Sequence, residues 1–88
     1  MEAKIKKIKI YTTDYCPYCT RAKTLFKSKN IPFEEINVTN DIKTREMLEE
    51  KTGWMTVPMI FIGEEFIGGC DNLYELESEG KLEAKLNG

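Results

Sequence analysis

Histidine is absent from this chain, and cysteine occurs only three times. A structural zinc usually takes four nitrogen or sulfur ligands, so the residues fall short of that site. Three is also an odd number and too few for a disulfide scaffold, which suits a reducing compartment with one working pair. No stretch approaches the roughly 20 apolar residues of a membrane-spanning helix, and residues 1–7 lack the apolar segment of a signal peptide. An excess of positive charge is missing too, since 13 Lys and Arg stand against 15 Asp and Glu for a formal charge of −2. With no global positive field, neither nucleic acid nor an anionic membrane is expected as a partner. The 88 residues, 41% of them hydrophobic, have room for one domain, residues 1–88, whose single core draws on every element. No repeat or low-complexity tract is present.

What is there centres on Cys16-Pro17-Tyr18-Cys19, which follows a short apolar strand and opens a helix. Cysteines three residues apart on a first helical turn share a face, so their sulfurs can close and reopen a small disulfide ring with little backbone movement. The first sulfur meets unpaired backbone N–H groups and the positive end of the helix dipole, an environment that favours a thiolate. Cys16 is therefore read as the nucleophile and Cys19, one turn further in, as the resolving thiol. Pro17 falls where a helix tolerates proline best, because its missing N–H would have had no partner there. Zinc ligation and two inert cysteines are the rival readings. The ligand shortage weighs against the first and the strand-to-helix setting against the second.

Along the chain, Lys4, Lys6, Lys7 and Lys9 interleave with Ile5, Ile8 and Ile10, and from Ile8 the period of two predicts a strand ending near Tyr11. The lysines read as its solvated end and rim rather than as a basic patch. Thr12-Thr13-Asp14-Tyr15 leads into the cysteines and offers capping groups. A helix follows over about Cys16 to Lys29, burying Cys19, Ala22, Leu25 and Phe26, and ends at Asn30-Ile31-Pro32. Residues 33–38 form the second strand, and strand, helix, strand implies a parallel pair. Thr39-Asn40-Asp41 caps a helix over Ile42 to Lys51, with Ile42, Met47 and Leu48 as core contacts and Gly53 as its stop.

Pro58 has no N–H for a ladder, so it stands at the start or edge of the strand Met59–Ile62. From local sequence alone its peptide bond is expected to be trans. Gly63-Glu64 fits a type II′ turn into the antiparallel strand Glu65–Ile67. In Gly68-Gly69-Cys70-Asp71 the glycines let backbone approach closely, Asp71 is a candidate N-cap, and the N–H groups beyond form an anion site. The helix so capped carries Leu73, Tyr74 and Leu76. Gly80 breaks it, and a short helix with Leu82 and Leu86 closes the chain. Cys70 reads as a small buried residue before a redox one.

The order βαβαββα, with Cys16-Pro17-Tyr18-Cys19 after the first strand, Thr56-Val57-Pro58 before the third and Gly68-Gly69-Cys70-Asp71 after the fourth, resembles the glutaredoxins over about Ile8 to Leu82. The resemblance implies an α/β thioredoxin fold, a four-stranded mixed sheet between helices, and a cis Pro58 facing the nucleophilic sulfur. It implies a thiol-disulfide oxidoreductase with glutathione as co-substrate, acting on disulfide-containing or glutathionylated proteins; the composition adds the expectation of a cytoplasmic protein without a metal, and a monomer is expected. By the same analogy Val57, in Thr56-Val57-Pro58, pairs through its backbone with the cysteinyl part of glutathione. Asp71 and the N–H of Cys70, beside Gly69, take the γ-glutamyl carboxylate, and Tyr15 and Tyr18 shape the groove. Many members carry lysine three residues before the first cysteine and arginine or glutamine just before Thr-Val-Pro. Thr13 and Met55 stand there instead. Two other readings accompany the first: a redoxin reduced by a flavoprotein reductase or another small thiol, and a module binding an iron–sulfur cluster.

Overall fold

The computed structural model describes residues 6–87, in the order β1 (Ile8–Thr12), α1 (Pro17–Ser28), β2 (Glu34–Asn37), α2 (Ile42–Thr52), β3 (Met59–Ile62), β4 (Glu65–Gly68), α3 (Cys70–Ser78) and α4 (Leu82–Asn87). The expected strand rim at Lys4 and Ile5 lies outside those residues. The strands form one mixed sheet in the order β2-β1-β3-β4, with β1 parallel to β2 and antiparallel to β3, and β3 antiparallel to β4. This is the thioredoxin fold.

Burial explains the strand sequences. Ile8 and Ile10 of β1 and Ile60 and Ile62 of β3 point to one face, where Ala22 and Phe26 of α1, Leu73 of α3 and Leu82 and Leu86 of α4 complete the larger core. Met59 and Phe61 point to the other face and meet Leu48 of α2. Both faces of β3 are thus covered, which is why Met59-Ile60-Phe61-Ile62 is a continuous apolar run rather than an alternating one. At the sheet edge β2 has only Ile36 half-buried and keeps its glutamates exposed.

Several boundaries differ from the sequence reading. β1 runs one residue further, because Thr12 pairs with Asn37, and β4 extends to Gly68, opposite Ile60. β2 is shorter at both ends than residues 33–38; Val38 is buried just beyond it and Phe33 packs against the core just before it. Ile42 and Met47, expected in the core, are 65% and 57% exposed, and Leu48 is the buried residue of α2. That helix covers the sheet with one narrow edge, so an apolar residue off that edge has nothing to pack on. Its ends match expectation, with Asp41 accepting from the Thr44 N–H at 3.1 Å and Gly53 left-handed at φ 72°. Asn30 is left-handed at φ 57° and ends α1's exit turn. In the β3–β4 hairpin Gly63 has φ 63° while Glu64 does not, as a type II′ turn requires.

Candidate active site

α1 begins at Pro17, one residue later than expected, because Cys16 is its N-cap in extended conformation. The Cys16 sulfur accepts a hydrogen bond from the Cys19 N–H at 3.0 Å. It thereby does the work expected of the Thr12–Tyr15 loop, whose Asp14 is turned away to accept from the Asn37 side chain at 2.8 Å. The Cys16 thiol donates to the Val57 carbonyl at 3.6 Å. Cys16 is half-buried, and Cys19 is buried at 1% exposure. Burial, followed by its hydrogen bond with Cys16, pushes the Cys19 thiol up to about 12; the Thr13 backbone and the Lys23 ammonium pull the other way. The pair thus joins an accessible sulfur at a helix N-terminus to a protected one behind it.

The bond from Val57 to Pro58 is cis. The trans expectation from local sequence is overturned, and the resemblance gave the right isomer. Residues 57 and 58, far from the cysteines in sequence, reach the site because β3 pairs with β1 and starts beside the strand end that leads to Cys16.

From Val57 a cleft of about 450 Å³ runs between Tyr18, Trp54, Thr56, Pro58, Gly69, Cys70, Asp71 and Asn72. Seven of the eight residues expected around glutathione therefore line one space. Tyr15 does not; it is 91% exposed and lies outside the lining. Asp71 is not the N-cap of α3. That position belongs to Gly69, and Asp71 is the second helical residue. Asn72 supplies the cap contact instead, its Oδ1 accepting from the Gly69 N–H at 3.1 Å. The N–H groups of the first turn, including those of Cys70 and Asp71, have no partner within the helix. The Cys70 side chain turns into the larger core, and burial pushes its thiol up.

Trp54 and Asn72 were not among the expected site residues. Asn72 was findable, since a polar residue three positions after an N-cap is a capping signal. Trp54 was not, because only the packing shows that its ring meets Phe66 edge-on at 5.7 Å and lies against Gly69. Its indole N–H is buried with no hydrogen-bond partner among the described residues. Thr13 is half-buried, and Met55 is 71% exposed and outside the cleft lining. Among the described residues no three His, Cys, Asp or Glu side chains gather as a metal site.

The glutaredoxin family model matches residues 8–67, which contain both the cysteine pair and the cis-proline loop. The chain belongs to the glutaredoxin family. It is accordingly a thiol-disulfide oxidoreductase. A glutaredoxin of Pseudomonas aeruginosa is 50% identical over 78 residues, covering 89% of this chain and 93% of the relative. The solution structure of glutaredoxin from Brucella melitensis matches with a TM-score of 0.87 and 42% identity, over 99% of this chain and 95% of the other. The crystal structure of a buckwheat glutaredoxin–glutathione complex matches with a TM-score of 0.87 and 33% identity, over 92% of this chain and 76% of that one.

Proposed function

We propose that the chain uses glutathione to reduce protein disulfides and glutathione mixed disulfides, in a reducing, cytoplasmic setting and as a monomer. The observation that carries this reading is the cleft that runs from Val57, at the Cys16 sulfur, to the N-terminus of α3. The Cys16 thiolate attacks one sulfur of the substrate disulfide, a new S–S bond forms, and the other sulfur leaves as a thiolate and takes up a proton. Cys19 then attacks the Cys16 sulfur and releases the remaining substrate thiol, or, where Cys16 holds glutathione, a second glutathione thiolate attacks that glutathione's sulfur, frees Cys16 and leaves as oxidised glutathione. After attack by Cys19, two glutathione molecules reduce the resulting intramolecular disulfide and leave as oxidised glutathione.

Glutathione is a peptide with a free α-carboxylate and α-ammonium at one end. The unpaired N–H groups of Cys70 and Asp71 suit that carboxylate, the Asp71 side chain suits the ammonium, and the backbone of Val57 suits the central amides. Tyr18 and Thr56 close the sides, and the absence of a Cβ at Gly69 keeps the cleft open beside Trp54. A second reading is favoured by Thr13 and Met55, which supply no cation for the glycyl carboxylate: the electrons come from a flavoprotein reductase or another small thiol.

Steady-state rates against glutathione concentration, with glutathione reductase and NADPH recycling the product, separate the two. The expected result is measurable but weakly saturating turnover, with a marked gain on Thr13→Lys and Met55→Arg. Each added charged hydrogen bond has a value of about 1.5–3 kcal/mol, less where water already substitutes for it. Turnover with a thioredoxin reductase and none with glutathione would give the second reading.

A further inference from the structure

Thr12 is the buried polar side chain among the described residues, and it stands next to Thr13, whose backbone helps to hold down the Cys19 thiol. Its hydroxyl donates to Glu35 Oε2 at 2.8 Å, and the same oxygen receives the Lys23 ammonium at 2.9 Å. Three elements, β1, β2 and α1, therefore converge on one lysine. Lys23 lies four residues after Cys19 on α1, so the two share a helix face, and the Lys23 side chain is only 24% exposed. As a stabilising ion pair this partly exposed bridge has little value. Its place one helical turn from a buried sulfur gives it another use.

We propose that Lys23, held in place by Glu35 and Thr12, supports the resolving step by stabilising negative charge on the Cys19 sulfur as it attacks the mixed disulfide at Cys16. Glu35 and Thr12 are positioning residues that act through Lys23. The inference rests on Cys19 as the resolving thiol and does not depend on which donor reduces the enzyme. In that step the Cys19 sulfur bonds to Cys16 and its proton passes to the departing substrate thiolate. The bond from Cys16 to the substrate sulfur breaks. The two cysteines are oxidised and the substrate disulfide is reduced.

Burial makes the Cys19 thiolate costly, so a fixed cation beside it lowers the barrier, and Lys23 acts in that direction. The other titratable groups near it are Cys16 at the N-cap of α1, Glu35 on β2 with Lys27 near it, and, on the Cys16 side, Cys70 with Arg21 and Asp71. None of these except Lys23 brings a cation to Cys19 itself.

The test follows one turnover of the full chain, reduced beforehand with dithiothreitol and mixed with insulin as the protein disulfide. Acid quenching and mass spectrometry count the Cys16 mixed disulfide and the Cys16–Cys19 disulfide against time. In Lys23→Met the mixed disulfide should form at the wild-type rate and resolve roughly three- to tenfold more slowly, with its pH profile moved upward. Lys23→Arg should restore most of the rate, and the exposed Lys27→Met should match wild type. Unchanged resolution in Lys23→Met, equal slowing of both steps, or no rescue by arginine would overturn the proposal. A wild type that never forms the Cys16–Cys19 disulfide would overturn the role of Cys19 and this inference with it. A wild type without glutathione turnover would leave this result standing and remove only the donor.

Discussion

At Cys16 one sulfur makes two contacts. It caps α1 by accepting from the Cys19 N–H, and it faces the Val57 carbonyl at the head of the cleft. Cys19 is out of solvent's reach. Cys16→Ser should therefore abolish all thiol transfer, whereas Cys19→Ser should keep the removal of glutathione from mixed disulfides and lose the reduction of protein disulfides. Equal loss in both variants, in parallel assays of the two substrates, would contradict the division of roles. Burial of Cys19 also has a consequence for stability. Its thiol is raised from 9.0 to about 12, so above pH 9 the unfolded chain releases a proton that the folded chain retains. Folding stability linked to this group is then complete below pH 9 and declines as pH rises toward 12, by up to roughly 1 kcal/mol per pH unit. Urea midpoints of the reduced protein at pH 8 and pH 10 should show the fall, and Cys19→Ala should reduce it; the same slope in both proteins would refute the linkage.

Among the elements, the entry to α3 is the most tightly specified. Gly68 has φ 110°, and a Cβ there would lie 2.5 Å from Asn72 Oδ1, the atom that caps Gly69. Gly68→Ala should cost about 1–3 kcal/mol for the backbone alone, more with the clash. Asn72→Ala should cost about 1 kcal/mol through the lost cap bond. Because both changes act on one contact, the double variant should be more stable than the summed single effects imply, by about 0.5–3 kcal/mol in denaturant melts. Strict additivity would mean that the two residues do not share that contact. The same junction shows where element-level reading went astray. Asp71 is a good N-cap residue by type, yet the chain turns two residues earlier because β4 pairs as far as Gly68, and the helix starts at Cys70.

Taken as a whole, the molecule has two apolar clusters on opposite faces of one sheet, and β3 belongs to both. Ile60 and Ile62 enter the larger cluster, Met59 and Phe61 the smaller. Neither cluster can open without β3, so the described residues should unfold in a single transition. Trp54 fluorescence, which reports the smaller cluster, and far-UV circular dichroism, which reports every helix, should give coincident urea curves. Separated midpoints would show that the α2 face melts independently.

From sequence alone came the element order and the placing of Cys16 at a helix start with Cys19 one turn further in, since strand period, helix period, caps and the spacing of Cys16 and Cys19 are local properties. The positive φ at Gly53, Gly63 and Gly80 was legible for the same reason: turn chemistry is written in the residues that make the turn. Motif order extended that reading to Val57, Pro58, Gly69 and Asp71, though only by likeness to a family. Contacts between segments distant in the chain were left to the tertiary structure. Packing decided that Ile42 and Met47 stay in solvent, that Trp54 walls the cleft and Tyr15 does not, and that Thr12, Glu35 and Lys23 meet. Each outcome depends on which surface lies opposite a side chain once β2, β1, β3 and β4 have found their order, and no local pattern of residues carries that information.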